Sequence, residues 1–373
     1  TPQYFLDLRT LAEARDVDPD KYVIGIGQSK MGIPPPDEDV VTMAANAAFP
    51  LKEKGALEGV ETLLFATESG IDQSKAAGMF VHGLLGLPER CRVVELKQAC
   101  YSATAALRMA MGLVAMKPKS KVLVIASDVA RYALGSPGES TQGAGAVAFT
   151  VSANPRLLTV DPEAGFYADD VMDFWRPNYL SEALVDGKYS TLVYIKALKT
   201  SWEQYAEESG RSLEDFSRFC YHIPFTRMAE KAHKKLARGI SDEALEAVIG
   251  ESLIYSREAG NCYAASLYVG LTSLLDNAEE DLSGKRIGLY SYGSGCVGEF
   301  FSGVVQPRYR EALFTQEHQA LLAGRTELTF QQYEDIYHYG IPTDGGEHAF
   351  PQYRTGPFRF AGIDAHKRVY EQA

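Results

Sequence analysis

Three side chains stand where strand-like runs give way to helix-forming ones, and each has a chemistry suited to that position. Cys100 lies in residues 93–107 (VVELKQACYSATAAL), where an apolar β-rich run meets a string of Ala, Ser and Thr. A thiol at a helix N-terminus feels the positive end of the dipole and free N–H groups, which predicts a lowered pKa and a nucleophilic thiolate. The bland alternative is a small buried hydrophobe. Glu68 follows the run VETLLFAT, residues 60–67, ahead of a predicted helix. It is either a capping or solvated turn carboxylate, or a desolvated base for a weakly acidic C–H bond. His222 follows FCY and is stopped by Pro224, at a junction in the second half comparable to that of Glu68 in the first. A core-packed imidazole is the competing account. Asn261, directly ahead of a small-residue helix, reads as an N-cap or as an amide that bonds a substrate carbonyl. Arg227, Lys231, Lys234 and Lys235 form either a solvated helix face or a seat for phosphates, and spacing alone leaves both open.

The elements that must position these groups alternate. Residues 60–67, 92–96, 121–127 and 146–151 read as buried strands, with helices predicted over 71–85 and 99–116, the second ended by Pro118. Beyond residue 160 come a helix over 190–210, a strand over 216–223, helices over 226–238 and 264–275, and strands over 286–292 and 297–305. The pattern predicts an α/β fold. The strings GAGAVAFTVS (143–152) and GSGCVGEFFS (293–302) share Gly, Gly, Val and Ser at matching places, each after a β-rich run. This predicts two related halves, residues 1–158 and 159–373. Residues 311–373, rich in Tyr, Phe and His, are expected to pack as an extension on the second half.

Composition narrows the function. With 373 residues, 46% hydrophobic, the chain can bury the core of a duplicated architecture. Its 37 Lys and Arg against 49 Asp and Glu give a net charge of -12, with no basic run, so nucleic acid is an unsuitable partner. The longest stretch without charged residues or His, 259–275, is broken by Gly260, Asn261, Ser266 and Gly270, and predicts no membrane span. The N-terminal TPQYFLDLRTLAEARD lacks a basic region followed by an apolar stretch, so a cytoplasmic location is expected. Five cysteines, an odd number without a CxxC pair, fit free thiols in a reducing compartment and exclude zinc fingers and disulfide scaffolds.

Taken together, these residues closely resemble the hydroxymethylglutaryl-CoA synthase family, of the thiolase fold. The likeness covers nearly the whole chain, through DPDKYVIGIGQSKMGIP (18–34), ATESGIDQSKA (66–76), KQACYSATAAL (97–107), STQGAGAVA (140–148), DFWRPN (173–178), VDGKYS (185–190), HIPFTRM (222–228), GNCYAASLY (260–268) and YGSG (292–295). Bacterial members are the nearer match, because the chain is short. The resemblance implies two α/β halves in an αβαβα layering, usually dimeric, and condensation of acetyl-CoA with acetoacetyl-CoA to 3-hydroxy-3-methylglutaryl-CoA, a step of isoprenoid synthesis through mevalonate. It makes Cys100 the acetylated nucleophile, Glu68 the general acid/base and His222 the residue that positions the second substrate. Tyr132, Thr141, Ser190, Asn261 and Ser294 would line the acyl pocket, with backbone N–H groups near Cys100 and in residues 293–295 holding the enolate. Asp18, Pro19, Arg227 and Lys231 would contact coenzyme A. No metal or redox cofactor is implied. Family members carry a further short strand ahead of the segment matching TPQYFLDLRTLAEAR, and this sequence starts without one.

Three rivals share the pattern. A type III β-ketoacyl-ACP synthase would use Cys100, His222 and Asn261 but needs no carboxylate base, since loss of carbon dioxide makes its carbanion; Glu68 separates the two. A polyketide β-branching synthase would use the same residues on a carrier-bound ketone. A silent acyl-CoA-binding protein has no physical need for Cys100, Glu68 and His222 together.

Overall fold

The computed structural model describes residues 1–353 and 355–373. A small sheet comes first: β1 (Tyr4–Asp7) pairs antiparallel with β2 (Lys30–Gly32), and α1 (Leu8–Ala14) leaves β1 on the Asp7 carboxylate, which accepts from Arg9 N. α2 (Val40–Glu53) starts on Asp39, whose side chain accepts from Val41 and Thr42 N–H while Thr42 Oγ1 accepts from Asp39 N. β3 (Val60–Ala66), α3 (Ala77–Leu85), β4 (Arg92–Leu96), α4 (Ser102–Met116), β5 (Lys121–Ala130) and β6 (Gly143–Val151) follow. They build a sheet ordered β4-β3-β5-β6, with the first three strands parallel and β6 antiparallel.

The second half opens with β7 (Leu158–Ala168) and the short hairpin β8 (Phe174–Trp175) and β9 (Leu184–Val185). It continues through α5 (Gly187–Ser209), β10 (Arg218–Tyr221), α6 (Arg227–Leu236), α7 (Asp242–Ala259), α8 (Ser266–Asn277), β11 (Arg286–Gly293) and β12 (Val297–Val305). Its sheet is ordered β10-β11-β12-β7.

Strand periodicity dictates the layers, because alternate residues face opposite sides. Leu64, Ala66, Val122, Val124 and Ala126 point to the core that contains Ala103, Ala106 and Ala110 of α4, Leu267 and Leu274 of α8, and Ile287, Leu289 and Phe301 of the second sheet. Their neighbours Leu63, Phe65, Leu123 and Ile125 pack on the other side under α2 and α3. On the far face of the second sheet, Phe219, Tyr221, Tyr290, Tyr292 and Phe300 lie under α5, α6 and α7. The result is helices, sheet, helices, sheet, helices, the αβαβα arrangement of the thiolase fold. Both sheets are covered on both faces, which explains their unbroken apolar runs.

Several expectations need correction. The helix predicted over 71–85 begins only at Ala77, where Glu95 Oε2 accepts from Ala77 N; the one predicted from residue 99 begins at Ser102. The glycine strings are not equivalent in place, since Gly143 opens β6 whereas Gly293 closes β11. The halves correspond instead in strand order, β3, β5 and β6 matching β10, β11 and β12 in direction; β7 covers the far edge of β12, and the far edge of β6 has no partner strand among the described residues. The window Ala99–Met116 is long and apolar enough to cross a membrane at mean hydropathy 1.3, but it contains α4, apolar because it lies between two sheets.

The C-terminal extension also sits elsewhere than expected. It comprises α9 (Thr315–Ala323), β13 (Thr326–Glu327), α10 (Phe330–His338), β14 (His348–Ala349), β15 (Phe358–Asp364) and β16 (Lys367–Gln372). β13 pairs with β1, Phe358 joins the core under α2 and α3, Arg359 pairs with Asp37, and Arg368 and Tyr370 bond Asp39. These are first-half contacts, and their cause is electrostatic: two aspartates before α2 lose water and need cations. Other contacts follow the expectation: Thr315 and His318 bond Asp276 of α8, Arg325 donates to Glu258 of α7, and Tyr337 OH donates to Glu182 Oε1.

Candidate active site

Glu68 stands two residues beyond β3, and Cys100 lies in the turn between β4 and α4. Ala99 holds a positive φ of 44°, a backbone choice that costs a non-glycine residue about 1 kcal/mol and clusters at functional turns. The parallel pairing of β3 and β4 brings the two turns together, and Cys100 Sγ–H donates to Glu68 Oε1 at 2.9 Å.

Behind this pair is Asp128, fully buried on β5. Its Oδ1 accepts from Thr67 Oγ1 (2.6 Å) and from the N–H groups of Glu68 and Ser69 (both 2.9 Å), and its Oδ2 from Ala264 N (3.0 Å). One carboxylate thus fixes the turn bearing Glu68 and ties it to the second-half loop bearing Asn261. Arg176 donates to the backbone oxygen of Glu68 from the loop between β8 and β9.

Crowding three acids into one recess sets the protonation. Burial, then the Asp128 charge, pushes Glu68 up to about 8, against the smaller opposing pulls of the Cys100 bond and Arg176. Asp128 rises to about 6 through burial, restrained by its four donors. Cys100 is pushed well above its ordinary 9 by burial, and further by the charge and hydrogen bond of Glu68. This overturns the expectation of a thiolate stabilised by the helix dipole: the sulfur keeps its proton and shares it with a carboxylate. The reason is geometric, since Cys100 precedes the helix and faces anions.

His222 follows β10 and donates its N–H to Tyr290 O on β11, while its carbonyl accepts from Tyr194 OH. β11 then runs to Gly293, where a Cβ would meet Gln98 O at 2.5 Å and Tyr101 N at 2.7 Å, so the strand end leading from His222 abuts the Cys100 turn. Only glycine permits that approach. Burial lowers His222 to about 3, and its Nδ1 has no hydrogen-bond partner among the described residues. It is a neutral imidazole with a free polar atom.

Of the other expected residues, Asn261 holds the turn ahead of its helix. Its Oδ1 accepts from Tyr263 N and Ser266 Oγ in a capping role, and its amide nitrogen has no hydrogen-bond partner among the described residues. Tyr132 is buried, faces Tyr263 and Thr141, and is raised by burial and then by Cys100 and Glu68, which places it beside the pair. Thr141 O accepts from Asn261 N. The Ser190 hydroxyl donates to Asp173 Oδ2, which also accepts from Tyr292 OH. Ser294 O accepts from Gln98 Nε2. In residues 293–295 the Gly295 N–H is already spent on Asp173 Oδ1, so it is not the free enolate donor that was expected.

Asp18 and Pro19 cap the turn that leads into Lys21–Ile26, and Arg227 Nε donates to Ile24 O at 2.9 Å. Residues some 200 positions apart in the chain, a number set by the spacing of Asp18 and Arg227, thereby share one surface, with Lys231 5.1 Å over Phe225 beside them. A cavity of about 830 Å³ lies along the far edge of β6 and includes none of Glu68, Cys100 and His222. Sequence reasoning missed Asp128, Asp173, Arg176 and Tyr263. An acid inside the apolar run KVLVIASDVA was the available signal for the first.

Comparisons with known proteins agree with this geometry. Residues 1–156 match the family model for the N-terminal part of hydroxymethylglutaryl-coenzyme A synthase, and residues 161–240 and 229–339 match that for its C-terminal part. The chain is 44% identical over 349 residues to hydroxymethylglutaryl-CoA synthase of Enterococcus faecalis, covering 92% of this chain and 90% of the relative. It is 34% identical to a polyketide biosynthesis 3-hydroxy-3-methylglutaryl-ACP synthase of Bacillus subtilis, covering 89% and 84%. Among solved structures, an HMG-CoA synthase complexed with CoA superposes with a TM-score of 0.96 at 41% identity, covering 100% of this chain and 97% of the other. Sheet order, site geometry and these matches lead to one conclusion: the chain belongs to the hydroxymethylglutaryl-CoA synthase family.

Proposed function

We propose that this enzyme condenses acetyl-CoA with acetoacetyl-CoA through an acetyl thioester on Cys100, releasing 3-hydroxy-3-methylglutaryl-CoA for isoprenoid synthesis. The observation that carries the reading is the 2.9 Å bond between Cys100 and a carboxylate raised to about 8. A base poised near neutrality is what abstraction of an acetyl C–H proton requires. As the Cys100 sulfur attacks the acetyl carbonyl, its proton passes to Glu68 and on to the departing CoA thiolate. Glu68 then removes a methyl proton from the acetyl thioester, and the enolate carbon bonds to the ketone carbon of acetoacetyl-CoA. The ketone oxygen becomes an alkoxide that takes the proton back from Glu68. His222, neutral because it is buried, donates a hydrogen bond to that oxygen without contributing charge. Water finally cleaves the thioester, its oxygen joining the acyl carbon and a proton returning to Cys100.

Asn261 and Tyr132 orient the acyl group with Thr141, Ser190 and Ser294 around them. Asp18, Pro19, Arg227 and Lys231 hold coenzyme A, the cations taking its phosphates. We also propose a homodimer. The test is Glu68→Gln: with labelled acetyl-CoA this variant should still acquire one acetyl group, while release of hydroxymethylglutaryl-CoA falls by about a thousandfold or more. Full turnover would refute the role of Glu68. Absence of any adduct on the unmodified enzyme would return the chain to a binding protein, and turnover only with a carrier-bound ketone would favour the β-branching reading.

A further inference from the structure

One face of α4 is polar, although the helix lies in the central apolar layer. Tyr101, Thr104 and Arg108 recur at helical spacing, and all three bond to the second half of the molecule. Tyr101 OH donates to Glu299 Oε2 at 2.6 Å, and Arg108 Nε donates to Glu299 Oε1 at 2.6 Å. Between them, Thr104 Oγ1 and Tyr268 OH on α8 are 2.9 Å apart. Glu299 is 3% exposed, in the middle of β12, and Arg108 also reaches Asp161 O on β7 while its guanidinium lies 5.0 Å from the Phe301 ring.

A buried ion pair gains little stability over well-packed apolar side chains, because desolvation offsets the Coulomb attraction; its better-attested use is to fix register. Here one carboxylate bridges two residues two turns apart on a single helix, so it locks both the rotation and the axial position of α4 against β12. Cys100 is adjacent to Tyr101. β12 pairs with β11 along its length, and β11 carries the Tyr290 carbonyl that holds His222.

We infer that Glu299 is a positioning residue: through Tyr101 and Arg108 it sets the nucleophile half in register with the histidine half. The inference rests on the condensation proposed above, and its test separates the two. Three variants are compared with the unmodified enzyme: Glu299→Gln, Tyr101→Phe, and the double variant Arg108→Met/Glu299→Leu, which replaces the ion pair by apolar volume. Acetylation of Cys100 uses first-half groups, Cys100 and Glu68, whereas condensation also needs His222 of the second half in place. The double variant should therefore lose about thirtyfold in kcat for condensation, as a misplacement of the order of 1 Å can cost up to about a hundredfold. Its KM values and its rate of Cys100 acetylation should stay within about threefold, and its thermal midpoint should stay within a few degrees of the parent's, apolar packing offsetting the partners lost by Tyr101 and Asp161. Glu299→Gln, which retains an acceptor for Tyr101, should recover most of the loss. Should the double variant misfold, Tyr101→Phe removes one bond only and should still lower kcat selectively. Turnover within twofold of the parent, or acetylation falling in step with condensation, would overturn the inference. An unmodified enzyme that acetylates but never condenses would instead refute the proposed function.

Discussion

Replacing Glu68 by Gln should make Cys100 more reactive while abolishing the reaction. The substitution keeps the shape and an acceptor for the thiol but removes a charge whose nearer oxygen is 2.9 Å from the sulfur. Taking the charge centres to be ~4 Å apart and an effective dielectric of ~20, the repulsion between carboxylate and thiolate is about 4 kcal/mol. Its removal lowers the Cys100 midpoint, with burial continuing to hold it up. The assay is the rate of iodoacetamide alkylation between about pH 6 and pH 10, since only the thiolate reacts, read by mass spectrometry of the Cys100 peptide. Alkylation should shift to lower pH in the variant while condensation is lost. Opposite movements in one protein exclude general damage. An unchanged or higher midpoint would refute the coupling on which the site's protonation rests.

Other consequences follow from the same contacts. For the unmodified enzyme, kcat/KM for condensation should rise with pH through about 8, because Glu68, raised by burial, must lose its proton to act as base; a rise centred near an ordinary carboxylate pKa would contradict this. His222 is lowered by burial from 6.5 to about 3, so the unfolded chain binds the proton that the folded chain refuses. Stability should therefore fall as pH drops from 6.5 toward 3, by up to about 1.4 kcal/mol per pH unit, and His222→Gln should flatten part of that slope in urea titrations. Asp173→Ala leaves Tyr292 OH and Gly295 N without their acceptor and should cost about 2–4 kcal/mol in denaturant melts, with a lower kcat as residues 293–295 loosen. Gly143→Ala drives a Cβ into the backbone of residues 259–261, 2.6 Å from Gly260 C and 2.7 Å from Asn261 N, and should lower the soluble yield or the melting temperature sharply.

How far the sequence could be read depends on whether a signal is local. Strands β3 and β5 were legible because a strand covered on both faces is a nearly continuous apolar run bounded by turn residues. Glu68, Cys100 and His222 were legible because strand ends are where an α/β sheet exposes functional groups. The pKa of Cys100 was not, since it depends on two carboxylates that reach it through the pairing of β3 with β4 and β5. The same holds for Asp128, whose four donors come from residues 67–69 and 264, and for the extension, drawn to the first half by Asp37 and Asp39. Asp173 was not legible either, because the groups it holds, Ser190 OH, Tyr292 OH and Gly295 N, come from distant parts of the chain.

The most direct check of the account is to mix the unmodified enzyme with labelled acetyl-CoA, digest it, and locate the label among the five cysteines. The account places it on Cys100 alone and requires that adding acetoacetyl-CoA discharge it, with label appearing in hydroxymethylglutaryl-CoA. Label on another cysteine, or an adduct on Cys100 that acetoacetyl-CoA leaves untouched, would contradict it.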